Sequence, residues 1–203
     1  MQELDGALGV IRRAIQNEIA GQRFYNDASF YCIDPWAKEV FATLARDEEV
    51  HTHLLLVEYE SLSTGGQWLD PDIAEASGAR ADIRNISFPD DELAQQLFPP
   101  QRSASVAIDR TADDLAALAF GTEMEQGAIA LYTKQADRTT DPAAKEAYRF
   151  LVEEEIRHYE QLKEHWERLA GRLLQRLKGH PFALPSPPTG VGSTKGRAAR
   201  AIL

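Results

Sequence analysis

The feature that most constrains this chain is an internal repeat. Adding 107 to a residue number carries positions 8–63 onto 115–170 without a gap, and 14 of those 56 positions are identical. Leu8 falls on Leu115, Glu18 on Glu125, Tyr25 on Tyr132, and Asp34-Pro35 on Asp141-Pro142. Leu44, Glu48, His51 and Leu55 fall on Leu151, Glu155, His158 and Leu162. Each copy contains two long helical patterns, so a fold that accepts this chain must accept two related helix pairs.

The patterns run from about Glu3 to Ile33, from Asp34 to about Ser63, from near Thr111 through the stripe ending at Tyr132, and from Asp141 to about Ala170. Apolar residues recur at alternating spacings of three and four, the mark of an amphipathic helix. Each Asp-Pro pair is a start signal, with Asp as N-cap and Pro at the first helical position. Residues 64–110 are rich in Gly, Pro, Ser and Asp and read as a long crossover with a short helix at 90–97. The expectation is an all-α four-helix bundle over 1–171 with one crossover between its second and third helices. Residues 172–203 are expected to form a basic, Pro/Gly-rich tail outside that domain.

Composition narrows the function. The net charge of −10 argues against general nucleic-acid binding. Residues 171–203 carry six basic residues and no acid, leaving about −16 for the rest. That acidity can draw in cations. The single cysteine, Cys32, rules out an internal disulfide and a four-cysteine metal knuckle, and fits a reducing, cytoplasmic setting. No apolar run approaches the roughly 18 residues of a membrane span. The start, MQELDGALGVIRR, lacks the order of a signal peptide.

Glu48 and His51 are three residues apart, as are Glu155 and His158, so each pair reaches one point beside its helix. Glu18 and Glu125 sit on the apolar stripes of the other two helices. A folded bundle would therefore aim four carboxylates and two imidazoles into its core. Burying an ionised carboxylate uncompensated costs at least several kcal/mol. Two divalent cations would balance the four negative charges, with Glu18 and Glu125 as bridges and one metal for each Glu-x-x-His.

In this respect the chain resembles the ferritin-like di-iron carboxylate proteins, and among them the rubrerythrins, over residues 3–170. The resemblance implies Glu18, Glu48, His51, Glu125, Glu155 and His158 as ligands of two iron ions, with Tyr25 and Tyr132 hydrogen-bonded to ligand carboxylates. It implies reaction with O2 or H2O2, of ferroxidase or peroxidase type, in iron handling or oxidative-stress defence, and at least a homodimer. Manganese or zinc could substitute on ligand type. Two departures matter. The paired Cys-x-x-Cys of an appended rubredoxin domain is missing, so an electron donor would be a separate protein. Ala128 stands where rubrerythrins place a further glutamate, and Glu123 points elsewhere; this favours a six-ligand, ferroxidase-like centre.

Other polar residues have two readings each. Asp47 and Glu154 lie four before the two histidines, where a carboxylate either orients a ring or is simple surface charge. His53 reads as a surface residue, His165 as a hydrogen-bonded core histidine, and Cys32 has no assigned role. The tail segment TGVGSTKG resembles the peptides that load ferritin-like cargo into encapsulin shells, with Thr194 where those are usually apolar. Two alternatives remain: an iron-storage or encapsulated cargo protein, and a metal-free helical interaction module.

Overall fold

The computed structural model describes residues 2–69, 71–76 and 111–176. Five helices follow in order: α1 Gln2–Tyr31, α2 Pro35–Gly65, α3 Pro71–Ala76, α4 Thr111–Arg138 and α5 Pro142–Arg176. The four long ones form the expected all-α bundle, with the long connection between α2 and α4. Both starts come from the Asp-Pro pairs. Asp34 accepts from the amides of Trp36 and Ala37 at 3.1 Å, and Asp141 from those of Ala143 and Ala144 at 2.9 and 3.0 Å. Helix α2 stops at Gly66, whose left-handed φ of 67° lets its amide bond back to Leu62.

Three boundaries differ from the sequence expectation. Helix α1 ends two residues before Ile33, α5 runs past Ala170 to Arg176, and a short helix at 71–76 was not foreseen. The extension of α5 has a physical cause. Leu169 and Ala170 are still buried, and Arg172 reaches back to Asp34 at 2.6 Å, tying the last turns to the start of α2. The expected helix at 90–97 and the tail beyond 176 lie outside the described residues.

Helices approach one another closely within each pair, α1 with α2 and α4 with α5, and less closely between pairs. Large side chains fill the wider seam in two clusters. One includes Tyr25, Phe41, Leu44, Leu118 and Leu162; the other includes Ile11, Ile15, Leu55, Tyr132 and Tyr148. Between these clusters lies the polar centre.

Two buried acids outside that centre fasten the ends of the bundle. Asp114 on α4 is fully buried and accepts from the amides of Ile33 at 3.2 Å and Asp34 at 2.7 Å. It closes the α1–α2 turn, whose free amides would otherwise lack partners. Asp114→Ala should cost about 1–3 kcal/mol, because it strands part-buried backbone donors as well as removing charged bonds. Thermal unfolding checks this, and an unchanged midpoint would refute it.

Glu58 on α2 accepts from the Leu69 amide at 3.1 Å and so holds the start of the crossover. Burial pushes its carboxyl up to about 7 from 4.5, against the opposing pull of that hydrogen bond. The folded chain therefore keeps a proton that the unfolded chain releases. This contribution to stability is fully present below pH 4.5 and is lost as pH rises through about 7, a change of roughly 3 kcal/mol at most. Glu58→Gln keeps the acceptor for Leu69 and should flatten that dependence, as read by urea unfolding at pH 5 and pH 8.

Candidate metal centre

The antiparallel pairing within each half puts Glu18 of α1 level with Glu48 and His51 of α2, and Glu125 of α4 level with Glu155 and His158 of α5. All six are buried, none more than 3% exposed. Glu48, His51, Glu155 and His158 each offer a ligand atom within 4.8 Å of the others. The imidazoles stack with ring centroids 5.3 Å apart.

The carboxylates are not equivalent. His51 Nδ1 lies 3.3 Å from Glu18, 3.3 Å from Glu48 and 3.6 Å from Glu155. His158 Nδ1 lies 3.1 Å from Glu155, 3.6 Å from Glu48 and 3.8 Å from Glu125. Glu48 and Glu155 thus sit between both rings, whereas Glu18 flanks His51 and Glu125 flanks His158. Glu18 and Glu125, expected as bridges, each stand beside one ring. The cause is that α2 and α5 face each other across the seam with α1 and α4 to either side.

The outer contacts cross between the halves. Tyr25 donates to Glu125, and Tyr132 donates to Glu18. Asp47 Oδ2 stands 3.4 Å from Nε2 of His158, and Glu154 stands 3.9 Å from Nε2 of His51. Each carboxylate therefore faces the ring of the opposite helix rather than the one four residues along its own. The two supports are also unequal. Asp47 is 41% exposed, and Glu154 is 16% exposed and paired with Arg157. His53 and His165 are half-buried and stand outside the cluster.

Burial pushes Glu18 and Glu125 well above the usual carboxylate range, and the neighbouring charges of Glu48 and Glu155 add to it. Burial acts the same way on Glu48 and Glu155, but Glu18 beside Glu48, and the imidazoles of His51 and His158 close to both, outweigh it and hold both below that range. Burial disfavours the imidazolium form, yet the surrounding carboxylates raise His51, and with Asp47 they push His158 up to about 12. Without metal, these influences favour a proton on Glu18, Glu125 and both imidazoles and the ionised form of Glu48 and Glu155.

The donor set fits divalent metal. Glu48 Oε2 and Glu155 Oε1 are buried and accept no hydrogen bond, an arrangement that costs free energy unless a cation meets them. Oxygen and imidazole donors suit iron, manganese and zinc. A cleft of about 20 Å³ leads in beside Gly21, Met124 and Ala128, where small residues leave room for a molecule of about water size. A Cβ on Gly21 would touch Glu48 at 3.5 Å. The sequence reading missed Glu58 and Asp114. Both signals were present, since Glu58 falls three after Leu55 and four before Leu62, and Asp114 four before Leu118.

Among the described residues no helix is long and apolar enough to cross a membrane. A protein-family model described as rubrerythrin matches residues 9–166. No curated protein and no solved structure matches the chain.

Proposed function

We propose a function from one premise: the chain belongs to the rubrerythrin family. It is a non-haem di-iron oxidoreductase. Glu18, Glu48, His51, Glu125, Glu155 and His158 would hold two iron ions, with Glu18 beside His51, Glu125 beside His158, and Glu48 and Glu155 within reach of both. The observation that carries this reading is the clustering of four buried carboxylates and two imidazoles from four helices, two carboxylate oxygens accepting no hydrogen bond. Bound iron would supply the one-electron steps by which O2 or H2O2 is reduced.

The chain's own residues do the rest. Tyr25 and Tyr132 hold Glu125 and Glu18 by hydrogen bonds from across the seam, which fixes the flanking carboxylates. Asp47 and Glu154 face the outer nitrogens and favour Nδ1 as the metal-facing atom of each ring. The apolar clusters to either side exclude water. The cleft beside Gly21 and Ala128 admits a diatomic or peroxide-sized oxidant. Iron oxidation, or peroxide removal with electrons from a separate donor, is the physiological role in this reading, in a reducing cytoplasm and as a homo-oligomer.

The test is anaerobic titration of metal-free chain with Fe(II), then rapid mixing with O2 or H2O2 while near-ultraviolet absorption is followed. Saturation at two irons per chain with fast oxidation supports the proposal, and the faster oxidant separates ferroxidase from peroxidase. No stoichiometric uptake would refute it.

A further inference from the structure

The two halves carry matching rings beside the centre, with one chemical difference. In the second half Tyr132, bonded to Glu18, stacks on Tyr148 with centroids 6.5 Å apart and planes at 19°. Tyr148 meets the half-buried Trp68 edge-on at 5.3 Å. Oxidisable rings therefore run without a break from the centre toward the surface. In the first half Tyr25, bonded to Glu125, stacks at 5.9 Å and 23° on Phe41. Phe41 is the repeat mate of Tyr148, and the rings beyond it are Phe24 and Phe120. Phenylalanine has neither a phenolic proton nor an indole to give up. The stacking is kept on both sides, but the ring stacked on the tyrosine can give up an electron on one side only.

A second difference lies at the same place. Tyr148 and Trp68 share a small cleft with Glu58, a carboxylate whose repeat mate is His165. Glu58 Oε1 is buried and has no hydrogen-bond partner. A tyrosine that loses an electron must also set down its phenolic proton, and Glu58 in its ionised form lines that cleft as an acceptor. On the far side of Trp68 and Tyr148 a groove of about 900 Å³ is lined by Arg13, Gln135 and Arg138. That is room for a small organic molecule, and two guanidinium groups against the one carboxylate of Asp141 favour an anion.

We infer that Trp68, Tyr148 and Tyr132 form a one-sided electron inlet, through which a small anionic one-electron reductant in the groove re-reduces the centre. This rests on the di-iron reading above. With hydrogen peroxide as oxidant, each peroxide takes up two electrons and two protons and leaves as two water molecules. The electrons come singly from two reductant molecules and the protons from solvent. Each electron passes from Trp68 to Tyr148 to Tyr132. Tyr148 hands its phenolic proton across the shared cleft to ionised Glu58 as it is oxidised and regains it when Trp68 refills it. Tyr132 exchanges its proton with Glu18 along their hydrogen bond, and the reductant refills Trp68. The chain ends each cycle unchanged.

The test uses the full chain loaded with iron, mixed with hydrogen peroxide, frozen and read by electron paramagnetic resonance, with ascorbate as the reductant in a parallel series. A tyrosyl or tryptophanyl radical is expected in the parent. Trp68→Phe should leave only tyrosyl signal, and Tyr148→Phe should remove the signal from Trp68. Both variants should slow re-reduction by ascorbate about tenfold, equivalent to a barrier higher by about 1.4 kcal/mol. Trp36→Phe, at the other end of the bundle, should not. Tyr148→Phe gives the second half the ring the first already has in Phe41, so it should fold and bind two irons. Equal radical yield and equal re-reduction in parent and Tyr148→Phe, with iron bound in both, would overturn the inlet and leave the di-iron centre standing. A chain that takes up no iron would overturn both.

Discussion

Glu48→Ala and His158→Ala are each expected to empty the centre of iron while leaving the chain helical. The two residues act at the point where the halves meet. Glu48 lies within 3.6 Å of both imidazoles, so in the proposed centre its loss would take a carboxylate from both metal positions at once. His158 offers the imidazole of one position and holds Glu155 at 3.1 Å. Loss of an outer-sphere partner commonly costs ten- to a hundredfold in metal affinity, and loss of a ligand shared by two metals should exceed about a hundredfold. Far-ultraviolet circular dichroism should stay close to that of the parent, because the apolar clusters on either side do not depend on either side chain. Metal analysis after desalting gives the answer. Two irons retained per chain in both variants would refute the ligand assignment.

Metal loading is expected to raise stability by several kcal/mol and to release on the order of four protons per chain. The stability follows from mass action, at about 4 kcal/mol when free metal exceeds its dissociation constant a thousandfold. The protons follow from the state of the empty cluster. Glu18 and Glu125 are raised, mainly by burial, so they enter the reaction protonated. His51 and His158 are raised by their carboxylate neighbours against the effect of burial, so they also enter protonated. Metal must displace all four. Apparent affinity should therefore fall steeply as pH drops, and acid should strip the centre well before it unfolds the helices. Calorimetry in two buffers of different ionisation enthalpy counts the protons. A count near zero would mean that the empty cluster is already deprotonated.

The residues of the centre were legible because a helix fixes which side chains share a face. Glu48 with His51 and Glu155 with His158 needed only the spacing of three, and Glu18 and Glu125 needed only their places on the apolar stripes. Partnerships across the seam were not legible in the same way. Spacing along α2 assigns Asp47 to His51, yet Asp47 stands beside His158. The tyrosines likewise serve the opposite half. Those contacts depend on how two helix pairs cross, which no single helix records. The places of Glu48 and Glu155 between the two rings were not legible for the same reason. Glu58 and Asp114 were overlooked because an acid on an apolar stripe was noticed only where a histidine or a matching acid accompanied it.

The wider seam between the two helix pairs has a consequence for how such a chain arises and diverges. The candidate metal cluster of Glu48, His51, Glu155 and His158 draws two residues from each pair, so the centre behaves as an interface between two partners. Joining the partners in one chain holds the second at an effective concentration in the millimolar range, whatever the dilution. Assembly of the centre then no longer limits how little protein is needed. Covalent joining also breaks the obligation of two-fold symmetry, under which any substitution must be acceptable twice. Asp114 opposite Ala7, Tyr148 opposite Phe41 and Glu58 opposite His165 are changes of this kind. A pair of identical hairpins could not have made them on one side only.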